Sequence, residues 1–202
     1  MKHITWPIFL LVLFISCDNS SPSANSLERQ NNLRTTETAD PPVDKSVMDM
    51  SYFPHDYPQL KMEGKAKGDP VIRIIYSRPH KDHRKILGDV VQLNVPWRLG
   101  ANEATEIEFF RDVTIQNKRI AAGRYVLYAI PGNEKWQLIL NSDLFTWGLH
   151  INRQNDLFSF SVPVHRTSEP MEVFSVQFGK TAEGAELSIA WDTFLITLPI
   201  NF

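Results

Sequence analysis

Phe158-Ser159-Phe160-Ser161-Val162-Pro163-Val164 carries a large apolar side chain at every second position, with Ser159 and Ser161 on the opposite side. A period of two lays one face of an extended chain on a core and leaves the other in water. The pattern repeats in both directions from this stretch. Thr105-Glu106-Ile107-Glu108-Phe109 puts both acids on one face and Ile107 and Phe109 on the other. Phe174, Val176 and Phe178 share a face, as do Leu187, Ile189 and Trp191, and then Phe194, Ile196 and Leu198. Residues 125–130 and 136–140 are more uniformly apolar, in the manner of central strands covered on both sides. Turn formers separate these segments: Asn117-Lys118, Ala122-Gly123, Pro131-Gly132-Asn133 and Glu183-Gly184. About nine or ten short strands at this spacing predict an all-β fold, an antiparallel β-sandwich of jelly-roll-like type with little helix. Residues 141–148 have room for one short helical turn at most.

The chain has 202 residues, 43% of them apolar, which is enough for a core and argues for one domain with an accessory segment. With 21 basic and 23 acidic residues the formal net charge is -2, and no Lys/Arg block breaks the balance. Nucleic acid is therefore not an expected partner. The single cysteine excludes an intramolecular disulfide and a thiol-based zinc or redox motif. Its position is informative. Met1-Lys2-His3 precedes an apolar run from Ile4 to Ile15 that ends in Ser16-Cys17. A spanning helix needs about 20 apolar residues, so this shorter run is the layout of a secretory signal. Phe14-Ile15-Ser16-Cys17 resembles the lipobox of bacterial lipoproteins, which implies cleavage after residue 16 and lipidation of Cys17. Two or three acyl chains make a stable membrane anchor where a single chain binds marginally.

Residues 17–46 are rich in Ser, Asn, Thr, Asp and Glu and poor in aliphatic residues, so after the lipidated cysteine they are expected to form a disordered tether. A coil of 29 residues, 18–46, spans on the order of 30 Å. The β-domain occupies residues 47–202, with an irregular lead-in over 47–69 that offers Met48, Met50, Tyr52, Phe53 and Tyr57 for packing.

Several chemistries find no support. The chain has no G-x-S-x-G elbow, H-E-x-x-H pair, phosphate-binding loop or dinucleotide fingerprint, and no cofactor is expected. His80-Lys81-Asp82-His83 lies among Lys81, Arg84 and Lys85, whose charge repels a cation, so no metal is expected there. Glu106 and Glu108 read as the solvent face of a strand. Glu103, in a turn-like context, can serve as an acid, a base or a ligand. The block that stands out is Trp97-Arg98-Leu99-Gly100-Ala101-Asn102-Glu103-Ala104-Thr105, which is dense in polar and aromatic groups and has no period. Arg98 can pair with Glu103 inside a fold-specifying polar network, or it can grip an anion or hydroxyl beside a stacking tryptophan.

Tyr76-Ser77-Arg78-Pro79, residues 84–88 and 97–105, and then Ala122-Gly123-Arg124-Tyr125, Ile130-Pro131-Gly132, Trp136, Asn141, Trp147-Gly148 and Glu169-Pro170 follow a known order. In these motifs the chain resembles the bacterial envelope family catalogued as domain of unknown function 2911 (DUF2911), over about residues 48–200. Leu99 stands where many of its relatives have threonine. The resemblance implies a secreted, often lipidated β-domain, and it brings no agreed activity. Two expectations follow. One is a lipid-anchored binding or accessory module of the cell envelope, for a small polar ligand such as a sugar or anion. Its site would draw on Tyr76, Arg78, Trp97, Arg98, Asn102, Glu103, Trp136, Asn141 and Trp147. The other is a scaffold that docks another envelope protein. An envelope hydrolase using Glu103, with Arg98 stabilising developing charge, stands behind both, and an enzyme is the less favoured reading.

Overall fold

The computed structural model describes residues 46–202. The expected signal peptide, the lipidation at Cys17 and the tether lie outside the described residues. Within them the fold is all-β. Nine strands form one antiparallel sheet in the order β1-β2-β3-β6-β7-β8-β9-β4-β5, without closing into a barrel. The strands are β1 (Met48–Phe53), β2 (Ile72–Ser77), β3 (Glu106–Phe109), β4 (Val113–Ile115), β5 (Lys118–Ile120), β6 (Gly123–Ile130), β7 (Lys135–Asn141), β8 (Asp156–Lys180) and β9 (Gly184–Asn201). A short helix, α1 (Tyr57–Met62), follows β1, and a 3-10 turn (Arg153–Asn155) precedes β8.

The alternating segments behave as their period requires. Phe160, Val162, Phe174, Val176, Leu187, Ile189, Trp191, Phe194, Ile196 and Leu198 are buried in the core. In β6, residues 125–129 are buried on both faces, as expected of a central strand. The acids of β3 meet cations on neighbouring strands: Glu108 pairs with Arg73, and Glu106 pairs with Arg124 at 3.5 Å. The β4–β5 hairpin turns through Gln116 and Asn117, both at left-handed φ, the backbone that two-residue hairpin loops need.

β8 folds the sheet over on itself. Its first part pairs with β7 from Asn141↔Asp156 to Lys135↔Pro163. From Val164 onward it pairs instead with β9, from Val164↔Ile196 to Lys180↔Ala185, with register shifts around Met171. The change of partner falls at Pro163, which has no N–H to give a ladder. Side chains of the two layers then meet. Trp136 of β7 lies 4.8 Å from Phe194 of β9, and Tyr76 of β2 lies 5.8 Å from Phe174 of β8, centroid to centroid.

The lead-in over 47–69 is more regular than its composition indicates. β1 is an edge strand in six-residue register with β2, from Met48↔Ser77 to Phe53↔Ile72. Met48 and Met50 point outward, about half exposed, so they contribute no buried alternation to read. α1 has six residues, with Pro58 at its start, which is too short for a helical period to show.

Between β2 and β3 the chain runs for 28 residues without a strand, and this connection holds the polar block. Ile86, Val91 and Leu99, each 0% exposed, peg it to the core. So does Trp97, which stacks on Trp191 at 6.1 Å and meets Trp136, Phe174 and Phe194 edge-on. Edge-on and offset ring pairs add about 0.5–1.5 kcal/mol each beyond the area they bury.

Candidate functional site

Residues 97–105 divide into a tied half and a loose half. Trp97 exchanges both backbone hydrogen bonds with Ala129, at 2.7 and 2.9 Å, which extends β6 by one bridge. Its indole Nε1 donates to the Gly100 carbonyl at 3.2 Å, and the Thr105 hydroxyl donates to the Leu99 carbonyl at 2.7 Å. The Ser77 hydroxyl accepts from Ala101 N at 2.6 Å and donates to the Ala101 carbonyl. Gly100 is required by this approach: a Cβ there would lie 2.7 Å from Ser77 Oγ. These bonds fix the shape of the block.

Arg98 shares none of them. Among the described residues it forms no ion pair, and its Nε is buried with no hydrogen-bond partner. The Arg98–Glu103 pair that the spacing allows does not form, because Asn102 and Glu103 are both exposed on the turn while Arg98 is half-buried. Burial holds the Arg98 guanidinium below its ordinary pKa, and it is still a cation at neutral pH.

Arg98 faces a cleft of about 250 Å³ walled by Val95, Pro96, Trp97, Gly148, Leu149 and Ile151. The far wall belongs to residues 142–152, joined to the block by a bridge between Glu103 and Trp147. Gly148 lets the arginine lie flat, since a Cβ there would sit 2.2 Å from Arg98 Cδ and 2.7 Å from the Asn102 carbonyl. Among the described residues two other buried side-chain nitrogens lack partners, Arg73 Nε and Trp136 Nε1. Arg73 already holds Glu108 and lies over the Phe110 ring at 5.8 Å, and Trp136 is 0% exposed inside the core. Arg98 combines an unpartnered cation with an opening. A groove of about 590 Å³ between β1 and α1 is larger; Met48, Met50, Tyr52 and Tyr57 line it with Asp49 and Lys61, and Asp49 is already paired with Arg78.

The remaining candidates disperse. Tyr76 and Arg78 lie at a seam between β1, β2 and β8. Arg78 pairs with Asp49 at 3.1 Å and donates to the Phe174 carbonyl and to Ser175 Oγ. The Tyr76 hydroxyl reaches Asp49 at 3.4 Å, and burial pushes its pKa up. Trp136 is core. Asn141, 2% exposed, donates to the Asn152 carbonyl and to Asp156 Oδ1 and accepts from Asp143 N, closing the base of the 142–155 segment. The Tyr128 hydroxyl completes that cluster on Asp156 at 2.7 and 2.8 Å, and its pKa is driven up by burial and by the carboxylate. Trp147 is 56% exposed at the rim. The structure thus gathers Arg98, Asn102, Glu103 and Trp147 around the block and its bridge, with Trp97 reaching from the block into the core against Trp136, while the side chains of Tyr76, Arg78 and Asn141 are spent on structural contacts of their own. Val95, Pro96, Leu149 and Ile151 escaped notice in the sequence. Only the alternation Leu149-His150-Ile151 hints at them.

A folded-over antiparallel sheet with its longest irregular connection packed across one end defines an all-β domain of the sandwich class. The chain belongs to the family described as protein of unknown function (DUF2911), whose model matches residues 58–200. No curated protein and no solved structure matches it.

Proposed function

We propose that the protein is a lipid-anchored envelope protein whose β-domain binds a small anionic ligand at Arg98. One observation carries the binding reading: a half-buried guanidinium with an unpartnered Nε, lining an open cleft. A desolvated cation without a counter-ion costs stability, and a carboxylate or phosphate oxygen would offset that cost with charge-assisted hydrogen bonds. At about 30 Å³ for each water-sized group, the cleft has space for about eight non-hydrogen atoms. Glu103 is exposed and does not line the cleft, which disfavours the hydrolase reading.

The test is a thermal-shift titration with acetate, butyrate, octanoate and inorganic phosphate. An anion that binds raises the melting temperature of the wild-type chain; at 100 times Kd the stabilisation is about 2.7 kcal/mol. Arg98→Ala keeps its own melting temperature and loses the ligand-induced rise. A rise that survives in Arg98→Ala contradicts the site. The anchor is tested separately by mass spectrometry of the mature protein, which should begin at an acylated Cys17.

A further inference from the structure

Phe145, Trp147 and Leu149 are 83%, 56% and 67% exposed and alternate along a single loop. The exposure is built rather than frayed. His150 N donates to the Trp147 carbonyl at 2.7 Å, Thr146 Oγ1 donates to the His150 carbonyl at 3.0 Å, and Glu103 bridges to Trp147. Phe145 holds a left-handed φ of 61°, unusual for an aromatic residue. A cluster of large apolar side chains held out in water marks a surface that something else covers.

The occupant is indicated by where the chain enters the domain. Met48, the first residue of β1, pairs with Ser77; Ser77 holds Ala101; and Glu103 of the same block bridges to Trp147. A continuous path of pairings and hydrogen bonds therefore links the entry point to the apolar loop. Only 30 residues, 18–47, separate Cys17 from β1. Tryptophan and phenylalanine are the side chains that settle at the headgroup level of a bilayer, with leucine reaching below. We infer that this loop docks on the membrane that carries the anchor, with Phe145, Trp147 and Leu149 entering the lipid interface. The inference rests on the lipid-anchor reading of Cys17. The charges around the loop are mixed. Arg124 lies over the Phe145 ring at 5.9 Å but is paired with Glu106, Asp143 stands in the loop and Glu103 beside it, and His150 follows Leu149. Apolar insertion, more than attraction to anionic lipid, holds the contact, so it resists added salt.

The tryptophans give a direct readout. Of the four beyond the signal segment, Trp97, Trp136 and Trp191 are at most 9% exposed, and Trp147 is the open one. The mature lipidated protein is reconstituted into phosphatidylethanolamine/phosphatidylglycerol vesicles with brominated acyl chains, and Trp147→Phe supplies the background. The expected result is a blue shift and bromine quenching of the Trp147 emission, unchanged by high salt and lost in Phe145→Ser/Leu149→Ser. Trp147 emission equal in brominated and plain vesicles overturns the proposal. Protection of Trp147 that grows with protein concentration without lipid also overturns it, by assigning the face to a second copy. The mass of Cys17 in the same sample separates failure of the anchor from failure of the loop.

Discussion

Arg78 and Arg98 stand 20 residues apart in the same long connection, and they end in opposite states. Arg78 ties together β1, β2 and β8 through Asp49, the Phe174 carbonyl and Ser175. Arg98, packed against Gly148, forms no ion pair among the described residues and leaves its Nε unpartnered. The comparison teaches how to tell a structural arginine from one kept for a ligand. Both are cations among aromatics with an acid within reach in sequence. What differs is whether the surrounding backbone and side chains already use the guanidinium. Trp136 and Trp147 repeat the contrast, one plugged into the core and the other held out at the rim.

Substitutions can break this division. The largest effect belongs to Trp136→Ala, about 3–5 kcal/mol in urea unfolding, because the cavity opens at the centre of the aromatic cluster. Trp147→Ala should stay within about 0.5 kcal/mol, as surface changes do. Arg78→Ala should cost about 2 kcal/mol, for it removes the one guanidinium that joins Asp49, the Phe174 carbonyl and Ser175. Tyr128→Phe should cost about 1.5 kcal/mol at neutral pH, since it removes a hydrogen bond to the Asp156 carboxylate.

The same tyrosine sharpens the picture with pH. Its folded pKa is raised, so its stabilising contribution is complete below the unfolded value of about 10 and is lost as pH climbs toward the folded one. The wild-type protein should lose stability above about pH 10, and Tyr128→Phe should lose less over that range. Equal alkaline slopes in urea melts of the two proteins would remove Tyr128 from the account.

Much of the sheet was legible because burial and period coincide in it. Val176-Gln177-Phe178 and Leu187-Ser188-Ile189 bury alternate side chains, and that is the signal a sequence displays. β1 was hidden because Met48 and Met50 face outward, and the partner switch in β8 because pairing leaves no mark on side-chain order. The block 97–105 announced itself by composition, and part of it is indeed a structural network through Ser77, Gly100 and Thr105. Its outcome at Arg98 was not legible. Arg98 and Glu103 stand five apart, and only the turn through Gly100 and Asn102 shows that they point to different places.

The most direct measurement is the unfolding free energy of Arg98→Leu in the absence of ligand. An arginine whose buried Nε has no partner has little to lose, and replacing a half-buried unpaired cation by an apolar side chain removes a desolvation cost. The predicted result is a urea midpoint equal to or above that of the wild-type chain, with a gain of up to about 1 kcal/mol. A loss on the scale of Arg78→Ala would contradict the account and make Arg98 one more structural arginine.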